Sequence, residues 1–204
     1  GQFWNHAYSQ RIVPYPDESR VWLVAPSGSF REFTDLGLDN VYATRIPADE
    51  YRTLEWLGAG NGWILHGLDG TKTYFRADGL WDKTVDRNSK TTQGGYSSGR
   101  LSSVTYPDGR QMTLAYTGGK LSSIQEVPVI GSGDSPRTWT YSWRTGAGSG
   151  PYTYTQNLQT IVLPGGQERW RFVYDSAVPA HLTRVFREGI GGSRQDLLNA
   201  LAKL

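Results

Sequence analysis

The chain has 204 residues, with 21 Lys and Arg against 19 Asp and Glu for a formal net charge of +2, and it contains no cysteine. Its 25 Gly and 10 Pro exclude a helical bundle, its scattered charges lack the basic run of a nucleic-acid groove despite a pI near 8.8, and no apolar stretch reaches the roughly 20 residues needed to span a bilayer. Hydrophobic residues make up only 37%, but 8 are Trp and 12 are Tyr, so burial rests on aromatic faces, and stability rests on packing and sheet hydrogen bonds rather than disulfides.

Residues 1–20 read as an irregular N-terminal segment, and Gly1 to His6 lacks the basic and apolar regions of a signal peptide. Val21 to Val24 reads as a strand, Pro26-Ser27-Gly28 as a turn, and Phe30 to Phe33 as the return. Between Asp49 and Leu57, Tyr51, Leu54 and Leu57 keep a helical spacing while Leu54 and Trp56 alternate. Strand is preferred there, because Gly58, Gly60 and Gly62 force a turn directly into the next hairpin.

That hairpin pairs Trp63–His66 with Lys72–Phe75 around Asp69-Gly70, and the same dipeptide returns at Asp78-Gly79 and Asp108-Gly109. Arg137 to Arg144 alternates, with Trp139, Tyr141 and Trp143 on one face. A loop precedes it at Gly131–Pro136, and a glycine-rich connector at 146–150 leads to a second alternating stretch, Tyr152–Thr155. Ser193 and Asp196 resemble a capping box opening a helix over 193–204, with Leu197, Leu198, Leu201 and Leu204 on one face. Alone such a short helix is marginal, so it is expected to dock on a sheet edge.

One phrase recurs through the β region. Leu101-Ser-Ser-Val104 leads to the turn Pro107-Asp108-Gly109, Leu158-Gln-Thr-Ile161 leads to Pro164-Gly165-Gly166, and Leu121-Ser-Ser-Ile124 is a third, decaying copy. An alternating strand follows the first two turns, with Met112, Leu114 and Tyr116 in one and Trp170, Phe172 and Tyr174 in the other. This is a repeated hairpin unit, the signature of an architecture built by stacking. Met112 follows Leu101 by eleven positions and Trp170 follows Leu158 by twelve, so the second copy needs a longer turn or a bulge to keep its face.

Catalytic candidates each have a simpler reading. Gly95-Tyr-Ser97-Ser-Gly99 matches a nucleophile elbow, but an elbow needs a helix after the serine, and Arg100 to Tyr106 reads as a strand. His6, His66 and His181 are not spaced for a metal or a triad, and Asp17-Glu18 and Asp49-Glu50 read as solvated loops. The Asp-Gly pairs are explained by turn chemistry without calcium, so neither metal, cofactor nor catalytic residue is expected. Trp139, Tyr141 and Trp143 would either stack on a glycan or cargo or form the buried side of a sheet; cross-strand aromatic pairs, at about 0.2–1 kcal/mol each, favour the structural role.

The phrases resemble the RHS/YD-repeat family. The resemblance lies in Asp69-Gly-Thr-Lys-Thr-Tyr-Phe75, Asp78-Gly79-Leu80, Asp86-Arg-Asn88, Gly99-Arg-Leu101 through Arg110, and Gly119-Lys-Leu121 to Ile124, with the name-giving dipeptide at Tyr174-Asp175. It implies an all-β fold, an antiparallel sheet of tandem hairpins over 21–187 that curves or spirals into a shell. In that family such shells belong to large secreted or surface bacterial proteins and enclose a toxin or other cargo, and the repeats are not the enzyme. The expected function is therefore a non-catalytic wall segment whose partners are neighbouring repeats or cargo. A carbohydrate- or surface-binding module and a small secreted hydrolase are the alternatives. About twelve strands at roughly 4.8 Å spacing make too narrow a tube to surround a folded domain, and an open sheet edge is expected to self-associate unless the C-terminal helix covers it.

Overall fold

The computed structural model describes residues 7–15, 20–35, 37, 39–44, 51–144, 157–174 and 182–189. They form an all-β protein of antiparallel hairpins, as the sequence predicts, with no helix among the described residues. The expected helix over 193–204 and the strand over Tyr152–Thr155 lie outside them. Among the described residues there are sixteen strands rather than about twelve, several of them only three or four residues long.

The chain divides into two compact units between Gly109 and Arg110. The first holds β1 (Arg11–Pro14), β2 (Arg20–Val24), β3 (Phe30–Asp35), β4 (Val41–Ala43), β5 (Thr53–Trp56), β6 (Trp63–His66), β7 (Lys72–Phe75), β8 (Trp81–Val85), β9 (Thr91–Ser97) and β10 (Arg100–Thr105). Each strand pairs antiparallel with the next in sequence. The Asp49–Leu57 ambiguity is thus settled as strand, in β5. Alternation sends Val21, Leu23, Phe33, Leu54, Leu65 and Phe75 into a dry core, and Trp63 lies between Tyr42 and Trp56 with ring centroids 5.3 and 4.5 Å away.

The segment read as irregular, 1–20, contains a strand. Arg11-Ile-Val-Pro14 pairs with Val21–Val24. On its other side the Ile12 N–H donates to the Gly79 carbonyl at 2.8 Å and Arg11 bridges Leu80. The first unit therefore engages its own starting strand on both sides. Pro14, which obscures the strand in the sequence, lies at its last residue, beyond the positions that use this second side.

The second unit holds β11 (Gln111–Thr117), β12 (Lys120–Val127), β13 (Arg137–Arg144), β14 (Asn157–Val162), β15 (Glu168–Tyr174) and β16 (Leu182–Gly189), again paired in sequence order. The expected turns form at Asp69-Gly70, Pro107-Asp108-Gly109 and Pro164-Gly165-Gly166. They close through Gly70 N–H to Gly67 carbonyl, Gly109 N–H to Tyr106 carbonyl and Gly166 N–H to Leu163 carbonyl. The Asp69 carboxylate accepts the Thr71 N–H at 2.9 Å, which holds its pKa below the usual value.

Candidate functional site: a stitched aromatic face

The recurring Leu-x-x-Val/Ile phrase poses a steric puzzle. Residues three apart in a regular strand point to opposite faces, yet Leu101 and Val104 are 4% and 0% exposed. A β-bulge resolves it. Leu101 lies opposite Tyr96 and Ser103 opposite Gly95, so Ser102 is an extra residue and Leu101 and Val104 return to one face.

The same bulge recurs at the same place in other hairpins. Leu121 opposes Tyr116 and Ser122 is extra, Leu158 opposes Trp143 and Gln159 is extra, and Leu182 opposes Tyr174 and Thr183 is extra. In the first unit Trp81 opposes Phe75 and Asp82 is extra. The phase slip read from the sequence is a separate feature: in the second copy the turn is one residue longer, with the Leu163 N–H on the Glu168 carbonyl where the Gly67 N–H closes on Thr71. The bulge lies in the Leu strand before each turn, and it is present in every copy.

A bulge interrupts the backbone ladder, so nearby polar groups need other partners. In three hairpins an aromatic side chain of the following strand provides one. The Tyr96 hydroxyl donates to the Trp81 carbonyl, the Trp143 Nε1–H to the Leu121 carbonyl at 2.7 Å, and the Tyr174 hydroxyl to the Leu158 carbonyl at 2.8 Å. Each acceptor immediately precedes the extra residue. Each donor lies three residues beyond the partner of the first residue after the bulge: Lys83 pairs with Gln93, Ser123 with Thr140 and Thr160 with Arg171.

A cation covers each of these rings. Arg76 lies 4.8 Å from the Tyr96 centroid, Lys120 5.8 Å from that of Trp143, and Arg144 5.3 Å from that of Tyr174. The aromatic side chains therefore stitch successive strands together.

The sequence-predicted row Trp139, Tyr141 and Trp143 shares one face of β13, half-buried. Trp139 opposes Ile124, and Tyr141 opposes Ile161. With Leu114, Leu158, Phe172 and Tyr174 these residues give the second unit one apolar face, while Thr138, Thr140, Ser142, Gln125 and Arg171 form the opposite, polar face. Burial raises the pKa of the Tyr141 phenol.

Of the catalytic candidates, Ser97 and His66 are described, and they sit on β9 and β6. Ser97 pairs with Arg100 across the two-residue turn Ser98-Gly99, and a strand rather than a helix follows it. Gly94 and Gly95 belong to β9 because side chains there would strike Trp81 and Ser103. His66 sits on β6 with its Nε2 2.9 Å from Glu55 Oε2 across the ladder. His6, His181, Asp17-Glu18 and Asp49-Glu50 lie outside the described residues. No group of three His, Asp or Glu that could hold a metal occurs among the described residues.

Sequence reasoning found the phrase and missed the stitch. The available signal was the three-residue Leu to Val/Ile spacing, which an unbulged strand cannot use to bury both residues. No family model matches the chain, and no curated protein matches it.

Proposed function

We propose that this chain is a non-catalytic structural segment of a β-wall of the RHS/YD-repeat type, part of a larger secreted or cell-surface bacterial protein that encloses or scaffolds a toxin or other cargo. The observation that carries this reading is the bulge repeated at one register position in successive hairpins and stitched by an aromatic side chain in three of them. It makes each hairpin a module whose bulge bends the sheet and whose aromatic donor fixes the next module. The apolar face of the second unit, including Trp139, Tyr141 and Trp143, would line the side turned toward cargo or neighbouring repeats.

Two measurements test the proposal. Tryptophan fluorescence of the full chain, titrated with a panel of oligosaccharides, should show no saturable change. Saturable quenching that disappears in Trp139→Ala would replace the wall with a carbohydrate-binding module. The coding sequence on either side should carry further copies of the bulged hairpin unit, and flanking sequence without them would reject the wall.

A further inference from the structure

β16 has the construction of the other bulged strands. Leu182 opposes Tyr174, Val173 opposes Arg184, and Thr183 is the extra residue. In β8, β12 and β14 the carbonyl before the extra residue is taken by a Tyr or Trp of the next strand. In β16 that position is the Leu182 carbonyl. Among the described residues β16 pairs only with β15, and no side chain donates to Leu182. The strand is eight residues long, a substantial template for pairing, and Leu182 and Val185 are 42% and 45% exposed. β1, by contrast, has its second side engaged by Gly79 and Leu80.

We propose that β16 is an acceptor edge for an added antiparallel strand bearing a Tyr or Trp that donates to the Leu182 carbonyl. The three existing stitches fix the register. The residue opposite Arg184 is the reference position, and the aromatic lies three residues beyond it. Alternation then continues the apolar face past Val185, which opposes Phe172. Arg184 is exposed and makes no ion pair among the described residues, whereas Arg187 is held by Glu168 at 2.5 Å. An acidic residue at the reference position therefore complements the edge. The partner is an extended segment with acid and aromatic so spaced, supplying main-chain hydrogen bonds for affinity and the stitch for register.

This inference rests on the modular reading above. Its test uses the full chain and a fluorescein-labelled peptide of the Gln167–Tyr174 sequence carrying Arg171→Glu, which puts the acid at the reference position and keeps the tyrosine three residues on. Anisotropy should show saturable binding. Tyr174→Phe in the peptide should weaken it about five-fold, the loss of one hydrogen bond. Arg184→Glu in the chain should weaken the acidic peptide and favour the peptide that retains Arg171. Absence of saturable binding, equal affinity of the Tyr and Phe peptides, or a chain whose β16 edges pair with each other in light scattering and exclude the peptide would each overturn the proposal. Failed peptide binding with no response to sugars leaves the wall reading standing; a sugar response removes the wall but not the edge.

Discussion

The Tyr174 hydroxyl donates to the Leu158 carbonyl of the preceding strand at 2.8 Å, and both residues are buried. Leu158 itself faces Trp143, so one contact joins the bulge, the aromatic row and the next hairpin. Removing the hydroxyl while keeping the ring isolates the stitch. Tyr174→Phe should cost about 1–2 kcal/mol, since the buried carbonyl loses its side-chain partner. Leu158→Ala should cost about 2–5 kcal/mol through the cavity it leaves. Urea unfolding of the full chain measures both. A Tyr174→Phe midpoint equal to that of the unsubstituted chain would show that the hydroxyl merely accompanies the packing.

Gly79 tests how β1 is held. A Cβ there would lie 2.1 Å from the Ile12 carbonyl oxygen, and its φ is +80°. Gly28 has nearly the same φ, +85°, but nothing within 4 Å of an added Cβ. Gly28→Ala should therefore cost about 1–2 kcal/mol, the left-handed conformation alone. Gly79→Ala should cost more, about 3 kcal/mol or beyond, because β1 must also shift from Gly79 and Leu80. Thermal unfolding of the two variants side by side gives the difference; equal losses would mean that the β1 contact contributes nothing.

Strand identity was legible wherever side chains alternate under Gly or Asp-Gly punctuation. Trp63–His66, Lys72–Phe75 and Arg137–Arg144 fall where periodicity puts them. β1 was hidden because Pro14 and Tyr15 look like a loop, and its second partner lies far along the chain at Gly79. Non-local pairing leaves no local pattern. The bulge was visible only as an anomaly. Leu101-Ser-Ser-Val104 has a spacing that a flat strand cannot use to bury both residues, and that signal belongs to the ladder, whereas the slip between copies belongs to the longer turn from Leu163 to Glu168. The aromatic row was found, but its polar tips were not. Composition cannot show that the Trp143 indole N–H meets the Leu121 carbonyl.

The glycine pair in β9 offers a coupling test. A Cβ on Gly95 would lie 2.3 Å from Ser103 Oγ but 3.7 Å from Ser103 Cβ. Gly95→Ala should destabilise the chain, Ser103→Ala alone should be nearly neutral, and the double substitution should recover most of the loss. The coupling energy should be about 1–2 kcal/mol, within the range for residues in direct contact. Additive effects would mean that the backbone of β9 itself, rather than Ser103, demands glycine at this position.

Two tyrosines among the described residues should make stability fall at alkaline pH. Burial raises the pKa of Tyr141, and burial together with the hydrogen bond from its hydroxyl to that of Tyr106 raises that of Tyr8. In the unfolded chain both phenols ionise near pH 10. Above that pH the unfolded state has lost protons that the folded state keeps, so stability falls as pH rises. The contribution is complete below about pH 10 and disappears as pH climbs through the folded pKa values. Urea midpoints should therefore decline between pH 9 and pH 11. Tyr141→Phe keeps the ring against Ile161 and removes the titrating group, so it should flatten the decline. Tyr8→Phe should do the same but also lower the midpoint at neutral pH, because Tyr106 loses its donor. All other groups are common to parent and variant, so the difference between their profiles isolates each phenol. If Tyr141→Phe has the same pH profile as the parent, the Tyr141 phenol is solvated, and the face of β13 that carries it is not a packed one.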